Sequence, residues 1–263
     1  MCDVHKRLKP QIPDMLLSDQ YSVIYVTADK LRIMGINAHP DDESCYSGTI
    51  AKLVNEGHDA TLVYMTSGDK GHTTISPREL TQIREKETLN ACKVLGARPM
   101  FMRVPDHDFF DNRDVERKVI EAIRKVKPNI IITHHPNDYD RDHWTTSHTV
   151  LQCMNSAALE HYKTKSRAID KIDSVYFCDT VGSLHFDPEH WIDIRDTFDR
   201  KIEALKAHKS QLKFMKDVFD MDMVDFFTVT ARFRGIQAST RYAEAFRRFR
   251  VYLHIRPSPS LPT

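Results

Sequence analysis

The sequence predicts an α/β protein with a Rossmann-like, doubly wound and mostly parallel sheet. Short apolar segments alternate with longer segments of helical periodicity, which is the order that βαβ units produce. The chain has 263 residues, enough for one large domain whose core needs no disulfide bonds. Its five cysteines are widely spread and no pair has CxxC spacing, a pattern typical of reduced cysteines in a cytoplasmic protein.

The first half of the chain predicts strands and helices in strict alternation. Ser76, Pro77 and Glu79 supply an N-cap, a proline at the first helical position and a capping-box acid, which together mark a helix start. Gly57 follows the end of an earlier helical pattern, where glycine is a common C-cap. The predicted elements are a strand over 31–38, a helix over 43–57, a strand over 60–65, a helix over 76–96 and a strand over 98–104.

The second half continues the alternation until its pattern blurs. Pro128 stops one helical pattern, and the isoleucine run within 129–134 then gives the clearest strand of the chain. The other predicted elements are helices over 115–126, 143–161 and 196–216, strands over 174–179 and 226–230, and a short helix over 241–247.

The domain plan is a single α/β domain over 30–255, with an N-terminal arm over 1–29 and a disordered Pro- and Ser-rich tail over 256–263. The formal net charge of +1 gives no electrostatic footprint for nucleic acid or an anionic membrane. The first residues are polar and basic, and no window is apolar enough for a membrane span. We therefore expect a cytoplasmic protein without a membrane anchor.

Two clusters of histidine and aspartate follow the first and fourth predicted strands. In a doubly wound sheet these strands are neighbours, and ligands bind beyond their carboxyl ends. The first cluster is His39-Pro40-Asp41-Asp42-Glu43 and the second runs from His134 to His143. The glycine fingerprint of dinucleotide binding is absent after the first strand, which disfavours a nicotinamide or flavin enzyme.

The two clusters hold the residue types of a catalytic zinc site. Such a site uses about three nitrogen or oxygen ligands and keeps one position open for water. His39 and Asp42 share a tight loop, and His143 would complete the set from a later helix. Asp41 is a second carboxylate beside these residues, and it fits a general base. For His134, a role as an ordinary loop histidine is favoured over metal ligation.

Several motifs, in the right order, resemble the PIG-L / LmbE-like family of zinc-dependent N-acetylglucosaminyl deacetylases. The resemblance covers roughly residues 31–250. The most specific motif is Ala38-His39-Pro40-Asp41-Asp42-Glu43, since it follows a buried strand and opens a helix. The further motifs are Thr66 to His72, Arg84 to Glu87, Pro105-Asp106, Pro136 to Tyr139 with Asp142-His143, Lys201 with His208 to Gln211, and Tyr242 to Phe246.

The resemblance implies an LmbE-like fold, a hydrolytic activity and roles for individual residues. It implies Zn²⁺, or another divalent metal, held by His39, Asp42 and His143, with Asp41 as general base. It places Arg84 and Asp106 at the sugar. The implied reaction removes the N-acetyl group of an N-acetylglucosamine-type amino sugar or its conjugate. Related enzymes often form homo-oligomers, either trimers or hexamers.

Two positions depart from the family pattern. Well-studied members carry a histidine that stabilises the oxyanion three residues before the last zinc ligand, where this chain has Asp140. His107 stands where the family often has glycine. Asp140 is therefore interpreted as a substrate-binding residue. Either zinc alone stabilises the oxyanion, or another donor replaces the histidine, and the candidates for that donor are His135, Tyr139, Arg141 and His208.

These departures keep two alternatives to the deacetylase open. One is a zinc amidase that acts on a larger amino-sugar conjugate. The other is a sugar-binding member of the family with weak catalysis, and the missing oxyanion histidine is the feature that favours it.

Overall fold

The computed structural model describes residues 30–109 and 112–250, so the predicted arm over 1–29 and the tail over 256–263 lie outside the described residues. The described residues form seven strands: β1 (Arg32–Asn37), β2 (Asp59–Thr66), β3 (Arg98–Val104), β4 (Ile130–Thr133), β5 (Ser174–Cys178), β6 (His190–Asp193) and β7 (Ala243–Arg248). They make one sheet in the order β3-β2-β1-β4-β5-β7-β6. Strands β1 to β5 pair in parallel, while β7 runs antiparallel to both β5 and β6.

Helices cover both faces of this sheet, as a doubly wound fold requires. The helices are α1 (Ser47–Asn55), α2 (Pro77–Leu95), α3 (Arg113–Val126), α4 (Arg141–Ser156), α5 (Phe198–Ala207), α6 (Lys209–Phe219) and α7 (Met223–Gln237). One apolar cluster contains residues of α3 and α4, and a second contains residues of α1, α2 and α5. No helix of the described residues is long and apolar enough to cross a membrane. The predicted fold class is confirmed.

The strand order places the switch point where the sequence predicts it. Strand β1 pairs with β2 on one side and β4 on the other, with Ile33 opposite Ile130 and Ile36 opposite Thr133. The loops that follow β1 and β4 therefore leave the sheet side by side. Residues 38–46 and 134–140 meet at this edge.

The predicted elements after residue 196 are partly wrong. The single helix over 196–216 is two helices separated by His208, which is the C-cap of α5 and the N-cap of α6. The predicted strand over 226–230 lies within α7, which Asp222 caps by accepting bonds from the backbone N–H groups of Val224 and Asp225. The predicted short helix over 241–247 is strand β7. Strand β6 has no counterpart among the predicted elements.

Local propensity explains why the predictions over 226–230 and 241–247 are wrong. Aromatic and β-branched residues over 226–230 favour a strand, and the alanines and glutamate of β7 favour a helix. Packing decides otherwise, because β7 fills the space between β5 and β6 and bonds to both.

A buried ion pair ties β7 to the segment that follows the His39–Glu43 loop. Lys201 Nζ lies 2.6 Å from Glu244 Oε1, and the two side chains are only 2% and 3% exposed. Lys201 also donates to the carbonyl oxygen of Ser44. Glu244 accepts the backbone N–H groups of Gly48 and Thr49, at the start of α1. The pair therefore fixes the chain next to the site.

We expect Lys201→Ala to lower the free energy of unfolding by about 3 kcal/mol, since it leaves the Glu244 carboxylate buried without its cation. Chemical denaturation measures the change. The matched control is Lys213→Ala, which removes a solvent-exposed partner of Asp217 and should cost less than about 1 kcal/mol. Equal losses in the two variants would contradict a structural role for the buried pair.

Candidate active site

The loop after β1 holds Asp41 in an unusual backbone conformation. Its φ angle is +101°, a left-handed value that costs a non-glycine residue energy unless neighbours enforce it. The Asp41 N–H donates to Glu43 Oε2 at 3.0 Å, and the Asp41 carbonyl accepts from Ser44 N–H at 2.9 Å. His208 Nε2 lies 2.7 Å from the other Glu43 oxygen, and both side chains are buried. Glu43 therefore supports the turn, in agreement with its absence from the predicted catalytic set.

The structure brings the three predicted metal ligands together. Asp42 lies between the two histidines, with His143 Nε2 3.2 Å from Asp42 Oδ1 and His39 Nδ1 3.5 Å from Asp42 Oδ2. The ring centroids of His39 and His143 are 5.5 Å apart. A carboxylate and two imidazoles facing one another form a donor set that suits Zn²⁺.

Two further carboxylates lie behind the histidines. His39 Nε2 lies 3.2 Å from Asp142 Oδ2, and His143 Nδ1 lies 3.2 Å from Asp138 Oδ2. Carboxylates behind ligating histidines orient the rings and raise their basicity. The sequence reasoning did not assign Asp138 and Asp142 this role, although both belong to the motifs that carry the family resemblance.

His134 and Asp140 also approach this donor set. Ligand atoms of Asp42, His134 and His143 lie within 4.8 Å of one another, as do those of His39, Asp140 and His143. His134 Nε2 is 3.0 Å from the Ala38 nitrogen and accepts its N–H, so that ring nitrogen is already engaged. The His134 ring stacks on His143 at 4.0 Å between centroids. We therefore assign His134 to support of the site.

The buried charges of the donor set shift one another's pKa values. Burial alone would raise the pKa of Asp42, but His143 and His134 hold it well below its usual range. Burial alone would lower the pKa of His39, yet hydrogen bonds to Asp142 and Asp42 raise it to about 10. Asp42 and Asp138 likewise keep the pKa of His143 well above its usual value. The raised pKa values of His39 and His143 favour their protonated forms, and metal binding, which needs neutral imidazoles, would displace those protons.

Asp41 is buried beside the donor set but makes no contact with its histidines in the ion pairs of the described residues. Its Oδ1 accepts from Arg84 Nη2 at 3.0 Å. Burial raises the pKa of Asp41 to about 6, the neighbouring charge of Arg84 lowers it, and Asp42 raises it. A carboxyl group whose pKa lies near neutral pH suits proton transfer.

The predicted sugar contacts Arg84 and Asp106 line a cavity that also contains His39, Asp42 and His143. Both side chains are already bonded within the protein. Arg84 is 2% exposed, and it donates to the carbonyl oxygens of Gly68 and Pro40 as well as to Asp41. Asp106 is 3% exposed, and its two oxygens accept the N–H groups of Gly68 and Lys70. Both residues therefore fix the loops around the site, and their contact with a sugar stays a prediction.

Asp140 both caps a helix and lines the cavity. It caps helix α4, since its Oδ1 accepts the N–H groups of Asp142 and His143 at 2.8 and 3.3 Å. It also lines the same cavity as His39 and His143. This carboxylate therefore orients the first turn of the helix that presents His143, and it remains available to a ligand.

The predicted replacements for the oxyanion donor separate by position. His135 is buried, edge-on to Phe177 and Phe186, and His208 is fully buried against Glu43. Tyr139 is 71% exposed and lines the cavity.

His107, which the sequence reasoning did not consider as a donor, also lines the cavity. Its Nδ1 lies 3.2 Å from Asp142 Oδ1. The signal that could have found it is its place beside Asp106 in a motif where the family often has glycine.

The predicted metal ligands and Asp41 line one cavity of about 670 Å³, together with Arg84, Asp106, His107, Tyr139 and Asp140. Such a volume is typical of sites for drug-sized ligands. Its floor carries the predicted metal ligands His39, Asp42 and His143 together with Asp41. A buried donor set at the bottom of an accessible cavity can hold a metal ion against a bound substrate.

Comparison with known proteins is consistent with this geometry. Residues 34–154 match the family model described as PIG-L, GlcNAc-PI de-N-acetylase, and these residues include both strand-end clusters. Over these residues the chain is similar to the PIG-L family. The resemblance drawn from the motifs is thereby confirmed.

The proteins to which this chain is similar carry hydrolase names. It is 27% identical over 238 residues to the diacetylchitobiose deacetylase of Thermococcus kodakarensis, and the match covers 87% of each chain. It is 25% identical over 224 residues to a mycothiol S-conjugate amidase of Streptomyces coelicolor, with 68% of this chain and 76% of that protein covered. The solved structure of N,N'-diacetylchitobiose deacetylase from Pyrococcus horikoshii is 25% identical, has a TM-score of 0.74 and is matched over 84% of each chain.

Proposed function

We propose that this protein is a metal-dependent hydrolase that removes the N-acetyl group from an N-acetylglucosamine-type amino sugar or its conjugate. The observation that carries the proposal is the placement of Asp41 beside His39, Asp42 and His143 on the floor of a ligand-sized cavity. Deacetylase relatives that match most of the chain support it.

The residues present fit a divalent metal. His39, Asp42 and His143 would hold it, because the Asp42 carboxylate contacts both histidines and because a further carboxylate lies behind each ring. We propose Zn²⁺, which favours this mixture of imidazole and carboxylate ligands. When bound, such an ion polarises a carbonyl oxygen and acidifies water.

The protein's own groups would handle the protons. Asp41 accepts the proton of the attacking water and returns it to the leaving amine, so the net reaction consumes one water and yields acetate and an amino sugar. Arg84 keeps Asp41 oriented and charged. Tyr139 and His107 are the donors along the cavity wall that can approach the carbonyl oxygen, while Asp140 and the predicted contacts Arg84 and Asp106 face the sugar.

Acetate release from a panel of N-acetylhexosamines and chito-oligosaccharides tests this function. We expect release to require the metal, to disappear after dialysis against a chelator and to return when Zn²⁺ is added back. Metal content measured on the same samples links the two losses. A metal-loaded protein that binds N-acetylhexosamines without releasing acetate would instead favour the weakly catalytic sugar-binding protein.

A second candidate function is a zinc amidase acting on a larger amino-sugar conjugate. The similarity to a mycothiol S-conjugate amidase favours it. Hydrolysis of a thiol-linked amino-sugar amide, compared with hydrolysis of the simple N-acetyl sugar, separates the two candidates. We also propose a cytoplasmic homo-oligomer, trimeric or hexameric, which sedimentation of the purified protein tests.

We expect Arg84→Met to shift the acid limb of the pH–rate profile upward by about one pH unit or more, because an arginine beside a carboxylate lowers its pKa by about that much. Asp41 is catalytically competent as the carboxylate, so activity appears as pH rises through its pKa. Without Arg84 that pKa is higher, and the rate recovers only at higher pH. The measurement is kcat/KM against pH at saturating metal.

The control for Arg84→Met is Arg103→Met. It removes an exposed arginine of β3 that pairs with Glu85, the residue that follows Arg84 in α2. It should leave the acid limb where it is. An unshifted acid limb in Arg84→Met would mean that the titrating base is not Asp41.

A further inference from the structure

The cavity has two chemically different walls. Its floor and one side are polar and include the predicted metal ligands. The opposite wall is made by α6, α7 and the turn between them. Its apolar members are Phe214, Met215, Phe219, Met221, Met223, Phe226 and Phe227.

Three of these side chains face the cavity without belonging to a hydrophobic core cluster of the described residues. Met223 packs in the small cluster around Leu205, and Met215 and Phe226 lie against it. Phe214, Phe219 and Met221 do not. Phe219 is 62% exposed, and it contacts Phe214 edge-on at 5.8 Å between ring centroids. We call Phe214, Phe219 and Met221 the apolar wall.

Apolar surface exposed to water is unfavourable in free energy, and a ligand that covers it recovers that free energy. Burying it yields about 25 cal/mol per Å², and contiguous exposed apolar patches mark binding sites. Methionine and phenylalanine adapt to ligands of varied shape. A sugar ring presents hydroxyl groups on most of its edges, so the ring alone would leave this wall unsatisfied.

The size of the cavity leads to the same conclusion. A volume of about 670 Å³ lies in the middle of the range for drug-sized ligands. A single N-acetylhexosamine is smaller than such ligands. When its amide lies on the polar floor, space remains along α6.

We propose that the substrate is an amino sugar that carries an apolar substituent, and that this substituent lies against Phe214, Phe219 and Met221. This inference rests on the proposed amide hydrolysis. The substituent is an alkyl or aryl group, attached either through the acyl chain or through the anomeric oxygen. The apolar wall is continuous with the catalytic floor, so one molecule contacts both.

The test compares matched ligand pairs that differ only in the apolar group. One arm uses the hexyl and methyl glycosides of N-acetylglucosamine. The other arm uses the N-hexanoyl and N-acetyl forms of the methyl glycoside. Equilibrium binding is measured by calorimetry on zinc-loaded Asp41→Asn protein, and kcat/KM is measured on the wild-type protein.

We expect at least one arm to favour the hexyl or hexanoyl ligand by about tenfold or more, since each buried methylene contributes about 0.8 kcal/mol and tenfold corresponds to 1.4 kcal/mol. The arm that shows the preference identifies the attachment point. Phe219→Ser should reduce that preference several-fold, because it weakens the hexyl or hexanoyl ligand more than the methyl N-acetyl ligand. The matched control is Ile236→Ser, which changes an exposed residue of α7 that does not line the cavity.

Preference ratios near one in both arms would overturn the inference, as would a preference that Phe219→Ser leaves intact. Binding keeps these outcomes separate from the fate of the proposed function. If no ligand is hydrolysed but the hexyl preference in binding persists and depends on Phe219, then the hydrolase proposal fails while the apolar wall stands. If all ligands are hydrolysed at equal rates and bind equally, the reverse holds.

Discussion

Replacement of Asp41 by asparagine should lower kcat for N-acetyl hydrolysis by about 100- to 10,000-fold, the range that a positioned general base contributes, while metal content stays unchanged. Asparagine cannot accept the proton of the attacking water. It has nearly the same shape as aspartate, and it tolerates the left-handed backbone at this position, where φ is +101°. Its side-chain oxygen can still accept from Arg84.

The loss would be specific to proton transfer because Asp41 is separate from the metal donors. Asp42, His39 and His143 contact one another, whereas Asp41 bonds to Arg84. Kinetics at saturating Zn²⁺ together with metal analysis measure the two effects. Asp108→Asn, an exposed carboxylate outside the cavity lining, serves as the control. An Asp41→Asn protein that holds zinc and retains full activity would show that another group is the base.

Pattern and topology together allowed the position of this site to be predicted from the sequence. The apolar runs identify β1 and β4, and the doubly wound fold makes these strands neighbours, which the pairing of Ile33 with Ile130 confirms. Polar residues that follow both strands must then meet. His39 and His143, more than a hundred positions apart in the sequence, lie within contact of the same Asp42 carboxylate for this reason.

Packing of the last third of the chain could not be predicted in the same way. Phe226-Phe227-Thr228-Val229-Thr230 has strong strand propensity, yet it is helical because Asp222 caps α7 and Phe227 packs against Leu205. The strand assignment also hid the pair of helices α6 and α7, and the apolar wall lies on α6 and the turn that joins them. Propensity acts on a few neighbouring residues, whereas β7 and the edge strand β6 depend on partners far along the chain.

The details of the charged network were also beyond sequence reasoning. Arg84 and Asp106 were expected to contact a sugar, but their bonds to the carbonyl oxygens and N–H groups of nearby loops depend on how 66–72 folds against α2. No residue pattern distinguishes a carboxylate that binds hydroxyl groups from one that binds backbone. Asp138 and Asp142 support the histidines through distances that only the folded loop after β4 determines.

Replacement of His143 by alanine should abolish both stoichiometric metal binding and hydrolysis. Loss of an outer-shell partner of a metal ligand already lowers metal affinity by about 10- to 100-fold, so removal of a ligand itself should cost more than about 100-fold. Asp42 would lose the positive neighbour that contributes most to holding its pKa low. Metal analysis after gel filtration, and zinc titration against a competing chelator, measure the affinity.

His148→Ala is the matched control for His143→Ala, because it removes a histidine from the exposed face of the same helix α4. The His148 ring contacts the Trp144 ring and the Trp144 carbonyl oxygen. It makes no ion pair with Asp42 among the described residues. Zinc affinity and activity should match those of the wild-type protein. Asp138→Asn should fall between the two, since it weakens the orientation of His143 without removing a ligand.

Comparison of His143→Ala with His134→Ala and Asp140→Asn decides between metal sets. If His143→Ala retains the wild-type zinc affinity while His134→Ala loses it, the metal is held by a set that excludes His143. That result would contradict both compact groups that contain this residue, Asp42 with His134 and His39 with Asp140. If His143→Ala binds no zinc and Asp140→Asn also loses most of its affinity, Asp140 is a ligand, and the departure from the family pattern concerns the metal as well as the substrate.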